Sequence, residues 1–397
     1  MLNGLPKADI DNARVAIVHD WLPVYAGAER VLEQMLEVFP NADVFSLIEF
    51  LPENQRAFLG GRAVSTSFIQ KLPFARKHYR LYLPFAPLAI EQFDLRGYDV
   101  VLSSSYVVAK GVLTTPDQLH VSYVHSPIRY AWDLYFDYLE NGGLTKGIRS
   151  LAARMILHYM RLYDAGTADR VDHFIANSRH VARRIEKTYR RTADVIYPPV
   201  ATEDFVPSRE RENYFFTMSR LVPYKRIDLI VRAFSLLPDE RLVVIGDGPE
   251  MEKIRGCAGP NVTLMGYQPD EVVRHTMSRA RAFVFAAEED FGIVPVEAQA
   301  CGVPVIAFGA GGALETIVDG KTGLFFQHQT EESLSDAVRR FSTLTFDVPA
   351  VRSHAQAFSE SAFRQRLRET VAGHYEEFSS RGRRLGTDSL RTPIQTA

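Results

Sequence analysis

Two glutamates in the stretch EEDFGIVPVEAQACGVPVIAF (288–308), Glu289 and Glu297, stand eight positions apart around a glycine and an apolar run. Carboxylates accept hydrogen bonds from hydroxyl groups, so such a pair suits a ligand that carries hydroxyls at both ends. Between them, Gly292, Ile293 and Val294 precede Pro295, which fits the first turn of a helix, and Gly302 fits its left-handed end. A helix N-terminus has unpaired N–H groups and partial positive charge, and so offers backbone donors to a phosphate oxygen. A second group lies in SRLVPYKRIDLIV (219–231), where Arg220 and Lys225 fall between an expected strand and an expected helix. A guanidinium grips phosphate in a fork and an ammonium acts as a point charge, so together they offset a diphosphate. Hydroxyls on either side of a diphosphate describe a nucleotide sugar. With no ligand, the same residues read as an exposed Glu289, a Glu297 that stabilises its helix N-terminus and two solvated bases. Spacing alone leaves both readings open.

These groups need elements to hold them. RVAIVH (14–19), ADVFSLI (42–48), YDVVLSSS (98–105), HVSYVHS (120–126) and DHFIANS (172–178) read as short buried strands, with helical spacing in AERVLEQMLEVF and from about Lys146 to Tyr163. The segment YPPVATEDFVPSREREN (197–213), with three prolines and a charge cluster, interrupts this pattern and reads as a linker. Alternation then restarts with YFFTMS (214–219), RLVVIGDG (241–248), VTLMG (262–266), AFVFAA (282–287), VPVIAFG (303–309) and TGLFF (322–326), separated by helical stretches. Strands alternating with helices predict parallel sheets covered on both faces. The expected architecture is α/β, with two doubly wound Rossmann-like domains facing a central cleft. The expected boundaries are 1–200 and 212–358, then a helix over 359–379 crossing back to the first domain and a disordered tail over 380–397.

Composition narrows the classes further. A chain of 397 residues with 46% hydrophobic and 24% charged content fits a soluble enzyme of two domains. No window approaches a membrane-spanning length and the start lacks the pattern of a signal peptide, so a cytoplasmic protein is expected. Cys257 and Cys301 stand alone, which predicts neither a disulfide framework nor a zinc site. The net charge of −2 argues against a nucleic-acid binder. GDGPEM (246–251) and GAGGAL (309–314) lack the third glycine of a dinucleotide fingerprint, and DGKTG (319–323) reads as a turn rather than a P-loop. Two segments are basic and free of acids: FIQKLPFARKHYRLYLPFAPL (68–88), with interleaved aromatics, and KGIRSLAARMILHYMRLY (146–163), with bases at helical spacing. They suit an anionic membrane surface, or equally a solvated helix covering its own core.

SRLVPYKR, GDGP and the spacing EDFGIVPVE followed by ACGVPVIA resemble the retaining GT-B glycosyltransferases of family 4, and the resemblance runs through essentially the whole chain. YVHSPIRYAWD (123–133) resembles the bacterial branch of O-antigen and exopolysaccharide mannosyltransferases. The resemblance implies that Arg220 and Lys225 hold the donor diphosphate, that Glu297 binds the nucleotide ribose, and that Glu289 contacts the transferred sugar near its reacting carbon. It assigns the backbone of Gly292, Ile293 and Val294 to a phosphate and sugar cradle, and His125 to the sugar from across the cleft. Gly27 would line the acceptor or phosphate loop, although Ala28 stands where many members have a second glycine, and alanine does not adopt positive φ cheaply. The expected reaction is a front-face transfer without metal or cofactor, from GDP-mannose to a polyprenyl-diphosphate-linked saccharide, at the inner face of the plasma membrane. A UDP-sugar donor, a nucleotide-sugar epimerase and a non-catalytic sugar-binding protein are the alternatives.

Overall fold

A computed structural model describes residues 9–389, with side chains as far as 381. The chain divides into two units: unit 1 takes residues up to 177, 181–196 and 364 onward, and unit 2 takes 178–180 and 197–363.

Unit 1 is built on a seven-stranded parallel sheet of β1 (Val15–His19), β2 (Asp43–Ser46), β3 (Val64–Thr66), β4 (Val100–Ser105), β5 (Leu119–Val124), β6 (His173–Ala176) and β7 (Ala193–Val195), in the order β3-β2-β1-β4-β5-β6-β7. Unit 2 repeats the pattern with β8 (Phe215–Met218), β9 (Leu242–Ile245), β10 (Val262–Leu264), β11 (Ala282–Phe285), β12 (Val305–Phe308) and β13 (Gly323–Phe326), in the order β10-β9-β8-β11-β12-β13. Each sheet therefore reverses its winding beside its first strand, between β1 and β4 and between β8 and β11. Doubly wound sheets open a crevice beyond the carboxyl ends of the strands at this reversal. Five helices bear on the sites: α1 (Gly27–Val38), α2 (Ile148–Gly166), α3 (Ile227–Ser235), α4 (Ile293–Ala300) and α5 (Glu360–Ser389).

The proline-rich segment expected as a linker belongs to unit 2. Its prolines keep it irregular, yet Val200 and Phe205 lie in the unit 2 core, and the Val200 N–H donates to Phe358 O at 3.0 Å. Arg211 anchors the other end by donating to the carbonyls of Ser278 at 2.8 Å, Cys301 at 3.0 Å and Gly302 at 2.9 Å. The tail expected from 380 is helical as far as Ser389, because α5 continues without a break; 390–397 lie outside the described residues. From Arg364 on, α5 belongs to unit 1, where Arg364 bonds Gln34, Arg368 pairs with Asp11, and His374 Nε2 lies 3.0 Å from Asp194 Oδ2.

Strands covered on both faces bury every side chain, so their polar residues must find partners inside. His120 on β5 is fully buried, with Nε2 2.9 Å from Ser103 Oγ and Nδ1 3.0 Å from Arg170 O. Burial pushes its pKa down to about 4. Between that value and the ordinary histidine value of about 6.5, the unfolded chain takes up a proton that the folded one refuses, so stability falls as the pH drops through this window. The slope from this residue is about 1.4 kcal/mol per pH unit. Urea unfolding from pH 7 to pH 4.5 should show a shallower loss of stability in a His120→Gln variant than in the parent protein.

Candidate active site

In unit 2 the site grows from the ends of β8 and β11, the two strands that flank the reversal. After β8, the chain turns through a single 3-10 turn at Pro223–Lys225 and enters α3 through Arg226, which has φ 55°. A left-handed arginine is strained, and its surroundings hold it there: Arg226 Nη1 donates to Gln329 Oε1 at 3.2 Å, and Gln329 Nε2 donates to Ala286 O at 2.8 Å. Lys225 is thereby directed at the loop after β11, where its Nζ forms an ion pair with Glu289 Oε1. Both side chains are about one-fifth exposed, so the pair remains open to a ligand.

Beyond Glu289, Gly292 caps α4 with φ 86°, a conformation that glycine adopts without the Cβ clash of other residues. Among the described residues, no hydrogen bond engages the N–H groups of Gly292, Ile293 or Val294. Three unpaired backbone donors at a helix N-terminus have the chemistry that suits an anion. Glu297 lies deeper on α4 and is 5% exposed, and Gly302 follows the helix with φ 66°. Arg220 is exposed, and its side chain makes no hydrogen bond or ion pair among the described residues. The structure thus joins Lys225, Glu289 and the start of α4 into one cluster, with Arg220 on the same strand-end loop as Lys225. Burial pushes the Cys301 thiol up to about 12, which leaves it unreactive.

The second glycine cluster has a packing role. Gly312 N–H donates to Glu289 O at 2.8 Å, and a Cβ on Gly312 would lie 2.3 Å from Phe291 Cα. The loop that carries Glu289 is therefore seated directly on the backbone of Gly312.

In unit 1 the polar groups gather at the carboxyl ends of β1, β4 and β5. His19 and Ser104 are register partners, and Ser104 in turn pairs in register with Tyr123. Ser104 Oγ lies 3.0 Å from His19 Nδ1 and 2.9 Å from His125 Nε2. The rings of Tyr106 and Tyr123 meet His125 edge-on at 5.7 and 5.2 Å. Burial, with His19 adding to it, pushes the His125 pKa down to about 3, so the imidazole is neutral near pH 7. The adjacent Asp20 is fully buried and accepts four consecutive backbone N–H bonds, from Tyr106, Val107, Val108 and Ala109, at 2.6 to 2.8 Å. Burial raises this carboxyl while the N–H donors pull it back. Gly27 is the first residue of α1, and Ala28 sits in the first helical turn, outside the left-handed region. The departure from a second glycine therefore carries no backbone strain.

Sequence reasoning missed Asp20, His19, Ser104 and Glu29. The one available signal was the run of serines closing β4, polar side chains in a strand whose pattern demands burial on both faces. The seating of the Glu289 loop gives a direct test. Gly312→Ala should destabilise unit 2 by roughly 1–3 kcal/mol, read as a lowered denaturation midpoint. Gly256→Ala, where a Cβ meets nothing within 4 Å, should leave that midpoint unchanged or raised.

Residues 25–204 match the model for Glycosyltransferase Family 4, and residues 201–364 match that for Glycosyl transferases group 1. A GDP-mannose-dependent alpha-(1-6)-phosphatidylinositol monomannoside mannosyltransferase from Mycolicibacterium smegmatis is 34% identical over 195 residues, 41% of this chain and 50% of the relative. A D-inositol 3-phosphate glycosyltransferase from Mycobacteroides abscessus is 28% identical over 196 residues, 43% of this chain and 44% of the relative. The chain spans about half the length of the curated relatives it matches. Among solved structures, Anabaena HepE with UDP-glucose aligns at a TM-score of 0.65 and 18% identity, covering 90% of this chain and 99% of that one. A sucrose-phosphate synthase from Thermosynechococcus elongatus aligns at 0.68 and 17% identity, covering 91% and 99%. Each of the two Rossmann-like units reverses its winding beside its first strand, the fold is the GT-B fold of these solved structures, and two glycosyltransferase family models match the chain in turn.

Proposed function

We propose that this chain is a retaining glycosyltransferase that moves mannose from GDP-mannose to a lipid-linked saccharide at an anionic membrane surface. The observation that carries the reading is the meeting of Lys225, Glu289 and the unpaired N–H groups of α4 at the reversal of the unit 2 sheet. A donor diphosphate draws Lys225 from Glu289 and takes the helix donors, with Arg220 as a second cation. Glu289, released from its partner, faces the sugar, and Glu297 takes the ribose hydroxyls. His125 contacts a hydroxyl of the transferred sugar, and the loop at Gly27 borders the acceptor. As the bond between the sugar carbon and the β-phosphate oxygen breaks, the acceptor oxygen bonds that carbon from the same face. The acceptor proton passes to the departing phosphate. Arg220, Lys225 and the α4 N–H groups stabilise the charge that develops there, so transfer is expected to persist in the presence of a chelator. The choice of GDP-mannose follows the branch resemblance and is supported by the likeness to the GDP-mannose-dependent mannosyltransferase of Mycolicibacterium.

Thermal unfolding of the purified protein with chelator present tests the donor site, since a ligand that binds only the folded state raises the midpoint. GDP and GDP-mannose should raise it, and Lys225→Ala should weaken the shift. A shift with UDP and UDP-glucose alone would overturn the mannosyl assignment, and no shift with any of them would remove the diphosphate site.

The membrane part rests on unit 1. Arg154 and Arg161 of α2 turn inward, to Tyr135 Oη at 3.2 Å and Ala131 O at 2.9 Å, while Ile148, Leu151, Met155 and Leu162 of the same helix are exposed. The apolar stripe of α2 therefore points to solvent, and Lys146 and Arg149 are exposed beside its first turn. In the same unit, 68–88 exposes Phe74, Leu81, Phe85 and Leu88 together with Lys71, Arg76, Lys77 and Arg80. Apolar side chains among exposed bases match the boundary layer of an anionic bilayer. No helix among the described residues is long and apolar enough to cross a membrane. Replacing Ile148, Leu151 and Met155 together by serine should lower co-sedimentation with phosphatidylglycerol vesicles at least fivefold; unchanged sedimentation would count against the surface.

A further inference from the structure

Three of the polar side chains of unit 1 that the sequence did not disclose, Glu29, His19 and Ser104, form with His125 a chain that has a direction. Glu29, at 4% exposure, is fixed by its own helix start, since Oε2 accepts the Ala26 N–H at 3.0 Å. Its other oxygen, Oε1, lies 3.6 Å from His19 Nε2. His19 is fully buried, and Nε2 has no partner within hydrogen-bond distance. A ring nitrogen facing a carboxylate oxygen is favourable with a proton and unfavourable with a lone pair. With a single ring proton, His19 carries it on Nε2 and leaves Nδ1 as an acceptor. The Ser104 hydroxyl, 3.0 Å away, has one proton and gives it to that nitrogen. Ser104 Oγ is then free to accept, and the nitrogen 2.9 Å from it on the other side is Nε2 of His125. His125 must carry its proton there. Its remaining nitrogen, Nδ1, has a lone pair and no hydrogen bond among the described residues.

We propose that Glu29, His19 and Ser104 are positioning residues that fix His125 in its Nε2–H tautomer, so that unit 1 presents a hydrogen-bond acceptor to a ligand hydroxyl. A donor there would favour an ether or carbonyl oxygen; an acceptor selects a free hydroxyl and disfavours the deoxy analogue. The substrate class is a sugar with a free hydroxyl at the contacted position, which rests on the placement of His125 at the transferred sugar proposed above. The tautomer itself rests only on the geometry of unit 1. Partners behind a histidine commonly set its tautomer in this way.

The test is a two-bond proton–nitrogen correlation spectrum of the full chain labelled with [15N]histidine at pH 8, with His125 assigned by the loss of its signals in His125→Gln. The parent protein should show the Nε2–H pattern for His125. In Glu29→Gln the amide oxygen stays on the Ala26 N–H and the amide NH2 faces His19. Every bond in the chain then reverses, and His125 should change to the Nδ1–H pattern. Ser104→Ala cuts the chain, so adding Glu29→Gln to it should leave His125 unmoved. The His120 signals, held by Ser103 and Arg170, serve as the control for an intact fold. An Nδ1–H pattern in the parent protein, or an unmoved His125 in a folded Glu29→Gln, overturns the proposal. Should Glu29→Gln fail to fold, Ser104→Ala alone decides: a mixture of tautomers supports the chain, and a single unchanged tautomer overturns it. If the protein transfers sugar, Glu29→Gln should lower kcat/KM for the donor on the order of tenfold while GDP affinity holds. Absence of transfer in every form would count against the enzymatic reading and leave the tautomer result standing.

Discussion

The Asp20 carboxylate is the fixed point of unit 1. Four consecutive N–H groups converge on it just after β4, at a turn that no helix or strand would otherwise satisfy. Leaving one such buried donor without a partner costs on the order of 1–3 kcal/mol, so this one carboxylate sets the path of 106–109. That path places Tyr106, and the Tyr106 ring stands edge-on to His19 at 5.9 Å and to His125 at 5.7 Å. The orientation of both imidazoles depends on a residue that has no need to touch a ligand.

Unit 2 solves a different electrostatic problem. Cations gathered at a strand-end loop need their charge balanced locally. Here Lys225 is held by Glu289, so the resting charge is balanced within the site and each group restrains the other's rotamers. Arg220 stays in solvent, where a guanidinium costs little to maintain. The loop that bears Glu289 is supported from below by Gly312, which makes a small residue far along the sequence a determinant of carboxylate position.

How far the sequence disclosed this structure varied with the physics of each element. The six strands of unit 2 were legible because each lies in a short, mostly apolar run between turn signals. β3 and β7 were not, since Val-Ser-Thr and Ala-Asp-Val each offer one large apolar residue in three, too little for a pattern. The 197–213 segment misled because prolines mark irregular backbone, and irregular backbone packs as tightly as regular when Val200, Phe205 and Arg211 anchor it. Periodicity showed that α2 has two faces and gave no means of telling which one faces out; the answer came from Arg154 and Arg161 finding partners in the body of unit 1. Lys225 and Glu289 were readable as chemistry from their motifs, but their pairing was not, and the His19–Ser104–His125 chain joins residues 85 and 21 positions apart.

The last helix bears on how the protein is made. Unit 2 has all of its chain once Phe363 has been synthesised, whereas unit 1 waits for the residues from Arg364 onward. The amino-terminal half therefore leaves the ribosome first yet completes its packing last. For the time it takes to translate unit 2, the surface that receives α5, including Gln34, Asp11 and Asp194, stands uncovered. During that interval a nascent chain of this protein exposes a face that α5 later covers, and chaperone demand should concentrate there.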